Sequence, residues 1–326
     1  LRKCAIIGVI SLLVVLVISP LIANFLHITA VSIIILSPVI LFSVILPIIR
    51  GNLQGLQKFK LLGLNLITEI AVKLLLGIIL VYLGFKVYGA ITAIVLSFLF
   101  PILIGLISIR KYISKKSTKE FNHKQIYAYS YPVLIALTLM SLLITIDVFL
   151  VKHLFDEFSA GLYVAASVLG KIIFFGTFAI SQVMFPKSVE KFTLNKSTSN
   201  VLKKSLLLIS VLAVPITACY FLFPEIIIKI LFGYEYVQIK GLIGLFGIAI
   251  AVFSFSYVLV LYNLSINRTK VIYLLLIAVI TEIILIYTMH NTLSQVLTML
   301  TIMLVVVFIS LIAYTYKHAK WSNFQS

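Results

Sequence analysis

The chain has 326 residues, 62% of them hydrophobic and only 11% charged, with a net charge of +17 and a mean hydropathy of +1.22. Soluble domains run near half apolar and a quarter charged, so a water-soluble fold is excluded. Unbroken apolar runs of about 20 residues also exclude a membrane β-barrel, whose strands alternate apolar and polar over about ten. What remains is an all-α polytopic membrane protein.

In chain order the apolar runs predict about ten spans, at approximately 4–24, 28–48, 61–83, 87–109, 129–151, 158–181, 203–223, 241–262, 271–289 and 294–316. Arg2-Lys3 ahead of the first run superficially resembles a signal peptide, but the run is too long and more spans follow. The longest connections, Arg110–Gln125 and Gln182–Leu202, are polar and basic and too short for a soluble domain.

The positive charge is distributed by side. Twenty Lys and Arg fall on the side of the N-terminus and four on the other, Lys86, Lys152, Lys229 and Lys240. This asymmetry predicts both termini in the cytoplasm and explains the basicity without nucleic acid. It also predicts that the sequons at Asn195, Asn263 and Asn267 are cytoplasmic and bare. Cys4 and Cys219 lie in different apolar runs, with no Cys/His cluster at ligand spacing, so neither a disulfide framework nor a metal site is expected.

Five charged residues stand within the apolar runs: Glu69, Lys73, Asp147, Lys171 and Glu282. A charge at the bilayer centre costs about 2.5–3.5 kcal/mol on insertion scales, so each is a functional candidate. Glu69 and Lys73, four apart, could simply neutralise each other, or Glu69 could orient Lys73 in a cationic cavity wall. Lys171 has no acid at i±3 or i±4 and needs a partner from another span, from substrate or from a wet lumen. Asp147, near the end of its span, could coordinate Na+, relay H+ or merely cap the interface. Glu282, mid-span without a local base, is either a protonated carboxyl or a proton-coupling group. Small residues Ala160, Gly161, Ala165, Ala166, Gly170 and Gly176 in the sixth span permit close helix approach. Pro38 and Pro215 fall well inside spans, as static kinks or hinges.

Three stretches carry a family resemblance. RGNLQGLQKFK (Arg50–Lys60) resembles the cytoplasmic R-G-x-x-Q-G-x-x-x-[FY] turn of polysaccharide flippases. Asp147 with DEFSAGLYVAASVLGKI resembles the pair that opens their second lobe, and PEIIIKILFGYEY (Pro224–Tyr236) their extracellular connection. Together they resemble the multidrug/oligosaccharidyl-lipid/polysaccharide exporter superfamily, in its polysaccharide-transporter (Wzx-like) branch. The resemblance implies a two-lobed bundle, with residues 1–125 the remainder of an N-terminal lobe and its basic inter-lobe loop, and 126–326 a complete six-helix C-terminal lobe. In the family frame the Asp147 span is the seventh helix and here it is the fifth, so the first two helices are expected to be absent.

The resemblance further implies a flippase moving a lipid-linked oligosaccharide or polysaccharide precursor by alternating access of the lobes about a central cavity. Lys73, Lys171 and Arg50 are then the substrate-binding candidates, Arg50 standing where the family motif places a cytoplasmic-gate arginine, or else serving only topology. Asp147, Glu69 and Glu282 are the ion-coupling candidates, for Na+ or H+, and no other cofactor is expected. The five histidines form no catalytic arrangement and there is no Walker A loop, so an enzyme is not expected. Expected partners are the lipid-linked glycan, membrane lipid, and glycosyltransferases or a polymerase, in the plasma or inner membrane. Two alternatives stand beside this reading: a multidrug or organic-cation antiporter of the same superfamily, and a non-transport subunit that assembles a polysaccharide-synthesis complex.

Overall fold

The computed structural model describes residues 2–26, 29–113 and 123–322. The regular elements among them are all helical, and the chain divides into two compact units, Leu1–Glu120 and Phe121–Ser326.

The first unit contains α1 (Arg2–Leu26), α2 (Ala30–Leu36), α3 (Pro38–Gly55), α4 (Phe59–Leu80), α5 (Lys86–Ser97) and α6 (Leu99–Ile113). α2 and α3 form one crossing interrupted at Ser37. Pro38 has no N–H for the Ile34 carbonyl, and the Ser37 hydroxyl donates to that oxygen instead, at 2.8 Å. α3 stops through Gln57 in the left-handed region, at φ 54°, where the Lys58 N–H donates to the Leu53 carbonyl at 2.8 Å. α4 begins at once. A small apolar core of Leu46, Ile49, Leu53, Leu62 and Ile102 binds α3, α4 and α6 together.

By length and hydropathy, eight helices among the described residues can cross a membrane, or nine if the bent pair in the second unit is one span. One of the eight, Phe59–Ile107, is 49 residues long. Straight, it would run about 73 Å, far beyond a bilayer core of about 30 Å. It is instead a hairpin. The chain reverses at Gly84, whose φ of 92° suits glycine, and a Cβ on Gly77 would lie 3.9 Å from that of Ala93 on the returning helix. Two crossings there bring the total among the described residues to nine, or to the ten that the apolar runs predict if the bent pair is one span.

The second unit contains α7 (His123–Leu142), α8 (Ile146–Leu154), α9 (Glu157–Thr193), α10 (Ser199–Leu222), α11 (Pro224–Leu231), α12 (Lys240–Ser265), α13 (Val271–Thr288) and α14 (Leu293–Ser322). α12 is its axis, packed by α9, α10 and α14 and buried on most sides. α7 and α8 follow one another across a short break with a bend of 41°, the geometry of a broken span or of a re-entrant loop. No proline or glycine marks that break. Thr145 leaves helical geometry at φ −129°, and its hydroxyl bonds the Ser141 carbonyl at 2.7 Å.

Asp156 caps α9 by accepting the Ser159 N–H at 2.9 Å. With 37 residues, α9 is about 55 Å long and runs well past the bilayer core. The connection Gln182–Leu202 is thus helical as far as Thr193 and again from Ser199. Most of the other basic connection, Arg110–Gln125, lies outside the described residues. Of the small residues on α9, Gly170 is the close approach, since a Cβ there would meet Phe246 at 3.0 Å, whereas Gly161 and Gly176 face open space. Pro215 sits inside a continuous α10. Cys219 is a free, exposed thiol, and the Cys4 side chain lies outside the described residues.

Candidate functional site

Each unit carries an intramembrane polar stripe that ends in a lysine. On α4 the residues are Asn65, Glu69 and Lys73, and on α9 they are Tyr163, Ser167 and Lys171. Both follow i, i+4, i+8 spacing, which places three side chains one above another along a helix.

In the first unit the stripe is closed by Arg50 from the C-terminal end of α3. Its Nε donates to Asn65 Oδ1 at 2.9 Å, and its guanidinium meets Glu69 Oε2 at 2.5 Å. Asn65, 1% exposed, donates in turn to the Pro101 carbonyl on α6 at 2.6 Å. The amide thus fixes both the arginine and the third helix. Lys73 approaches the other oxygen of Glu69 at 3.7 Å, and its side chain is 42% exposed. One carboxylate faces two cations, so the cluster carries a net positive charge, concentrated on the more open lysine. Arg50 is more than a topology signal: it is the strong partner of Glu69, and Lys73 is the weaker one.

In the second unit Asp147 lies in the first turn of α8, just beyond the break, where the positive end of a helix dipole favours an anion. It is 1% exposed. The Tyr163 hydroxyl donates to Asp147 Oδ2 at 2.9 Å. Oδ1 has no hydrogen-bond partner of good geometry, although the first-turn amide of Val148 lies close to the carboxyl. Lys171 is near enough to interact electrostatically with Asp147, but no ion pair within 4 Å forms among the described residues. Glu282 on α13, also 1% exposed, interacts electrostatically with Asp147 and Tyr163, and neither of its carboxyl oxygens has a hydrogen-bond partner. The Ser167 hydroxyl, between Tyr163 and Lys171, is likewise buried and unpartnered.

The structure thus brings Arg50, Glu69 and Lys73 into one cluster, and Asp147, Lys171 and Glu282 into another. Sequence reasoning missed Asn65, Tyr163 and Ser167. The signal that finds them is the four-residue polar repeat leading up to each lysine inside an apolar run. Buried polar atoms normally find partners, and those left without one in native folds mark functional positions or sites for water and ions. Among the described residues no three His, Cys, Asp or Glu side chains come together as a metal centre.

A break between membrane helices beside buried acids that keep unpartnered oxygens, and a second lysine-bearing polar stripe, lie within a multi-pass helical membrane protein. Residues 4–241 match the family described as polysaccharide biosynthesis protein, and the chain belongs to that family, in its polysaccharide-transporter (Wzx-like) branch. It is also similar to a membrane protein of Methanocaldococcus jannaschii, itself described as uncharacterized, with 27% identity over 250 residues. The match covers 72% of this chain and 56% of that protein, so the chain spans about half the length of the curated relative it matches.

Proposed function

We propose that the protein is a flippase that moves a lipid-linked oligosaccharide or polysaccharide precursor across the cell membrane by alternating access. The observation that carries this reading is Lys171: a half-buried cation on a membrane helix, close to Asp147 yet without an ion pair within 4 Å. An ammonium in that position needs water or an anion from outside the protein. Lys73, held only at 3.7 Å by an acid that Arg50 already satisfies, is the corresponding cation of the first unit. Each offers a charge-assisted contact to the phosphates of a polyprenyl-linked head group. Arg50 holds Glu69 and so leaves Lys73 available.

Asp147 and Glu282 supply the coupling. A Na+ or H+ arriving at Asp147 Oδ1 and the Glu282 carboxyl supplies the partner those oxygens lack, and binding of the ion and of the anionic substrate become linked equilibria. Both termini lie in the cytoplasm in this reading, and the lysine-rich loops face anionic inner-leaflet lipid and the glycan-synthesising enzymes.

The test is ligand discrimination. Purified protein in nanodiscs is titrated with a fluorescent polyprenyl diphosphate glycan and, separately, with an organic-cation dye. Saturable binding of the glycolipid, weakened by Lys171→Ala, supports the proposal. Binding of the dye alone, lost in Asp147→Asn and Glu282→Gln, would replace it with an organic-cation antiporter.

A further inference from the structure

We propose that α11 lies flat in the headgroup region of one leaflet, the one opposite the lysine-rich loops, with Ile226, Ile230 and Tyr234 seated among phospholipids. The inference needs only that the chain spans a bilayer, not that it moves a glycan.

The segment between α10 and α12 is shaped to leave the bundle axis and return. α10 ends where Phe223 leaves helical geometry, at φ −130° and ψ 44°, and Pro224 starts α11 at a position where its missing N–H costs nothing. Nine residues later Gly233 turns the chain at φ 92°, a conformation a side chain would strain. α11 is too short to cross anything and is strongly two-sided.

Its inner side is fixed to the protein. Ile228 is fully buried, and Glu225 bonds Lys240 at the start of α12 at 2.8 Å while Lys229 stands 3.8 Å from the same carboxylate. Its outer side is bare and apolar. Ile226 and Ile230, four apart, are exposed, Ile230 to 76%, as are Leu231 and Tyr234. In water such a patch would be an association hazard. In the headgroup region it is the surface of an interfacial helix.

Three observations select phospholipid as the occupant. The patch follows directly on the apolar end of α10, where Phe221 and Leu222, and Phe223 just beyond it, are exposed in the same way. Tyr234, with Lys229 4.9 Å above its ring, is the aromatic and cationic pairing found at headgroup depth. The charges of the segment, Glu225 and Glu235 against Lys229 and Lys240, cancel. Seating therefore relies on apolar contact with a zwitterionic surface and not on anionic lipid. The consequence for the fold is mechanical: a helix tied to α12 on one side and to lipid on the other fixes the depth of that end of α10 and α12.

The test is tryptophan fluorescence in a background where the single native tryptophan is replaced, Trp321→Phe. Ile230→Trp and, separately, Ile226→Trp are reconstituted in phosphatidylcholine vesicles whose acyl chains carry bromine either near the headgroup or near the chain end. Val211→Trp, on the exposed side of α10, serves as the deep reference. The expected result is loss of most of the Ile230→Trp and Ile226→Trp emission to shallow bromines, little loss to deep ones, and no change when anionic lipid is added. Val211→Trp should show the reverse depth order. Quenching of both α11 probes by aqueous iodide and by neither bromolipid would overturn the proposal, placing α11 in solvent. Protection from iodide and from both bromolipids would overturn it equally, since a protein partner would then cover the patch.

Discussion

Arg50 and Glu69, nineteen residues apart on successive helices, meet at 2.5 Å inside a membrane protein, and the pair holds two helices in register. The contact leaves Lys73 with only the far oxygen of the same carboxylate. Arg50→Ala should destabilise the protein markedly, because Glu69 then keeps one distant cation and Asn65 loses the donor to its Oδ1. The coupling energy from an Arg50→Ala, Glu69→Ala double-mutant cycle, read by thermal unfolding in detergent, should fall at about 1–3 kcal/mol. A value near zero would show that the pair is incidental.

Gly105 gives a test of the same cluster from the α6 side. A Cβ there would run into Ile49 and approach the Asn65 amide to 3.3 Å. Gly105→Ala should cost about 1–3 kcal/mol by overpacking. Gly63→Ala, on an open face of α4, should be neutral or stabilising by up to about 1 kcal/mol. Melting temperatures of the two variants, measured side by side, should move in opposite directions or differ clearly in size.

Asp147 depends on Tyr163 for its one good hydrogen bond. Tyr163→Phe removes the donor and leaves a buried carboxyl unsatisfied, at a cost of about 1–3 kcal/mol. In an Asp147→Leu background the same change should cost much less. Equal costs in both backgrounds would mean that Tyr163 stabilises by packing, for instance through its edge contact with Phe246 at 5.1 Å.

Outside the spans, the hydrogen bond and charge of Lys240, with a smaller contribution from Lys229, hold the Glu225 carboxyl below the usual glutamate range. Because its folded value is depressed, the stabilisation it provides is present at neutral pH and is lost as the pH falls through that folded value. Carboxyl NMR should show Glu225 titrating at lower pH than an ordinary glutamate, and Lys240→Ala should move the midpoint back up. As the pair is exposed, Glu225→Gln should change stability at neutral pH only slightly.

Much of this architecture is legible in the sequence because lipid imposes a coarse rule: apolar runs of bilayer length, separated by basic links. That rule reveals ten crossings, including the two that meet at Gly84. It also marks Glu69, Lys73, Asp147, Lys171 and Glu282 as residues that need a reason. It does not reveal Arg50 as the partner of Glu69, since the two lie on different helices and a terminal arginine looks like an ordinary topology signal. Asn65, Tyr163 and Ser167 escape for another reason. A lone amide or hydroxyl in a membrane helix is common, and its meaning comes only from what faces it. The break before Asp147 has no proline or glycine to announce it; it falls at Thr145, whose backbone leaves helical geometry.

The central claim, that intramembrane lysines contact the phosphates of a lipid-linked glycan, is tested most directly by glycolipid translocation. The protein is reconstituted in proteoliposomes with a polyprenyl diphosphate glycan, under an imposed Na+ or H+ gradient, as wild type, Lys73→Ala, Lys171→Ala and Lys171→Arg. The account predicts a loss of at least about tenfold in rate for Lys171→Ala, as expected when a charge-assisted contact of about 1.5–3 kcal/mol is removed. It predicts a smaller loss for Lys73→Ala and partial rescue by Lys171→Arg. Wild-type rates in both alanine variants, with translocation otherwise robust, would contradict it.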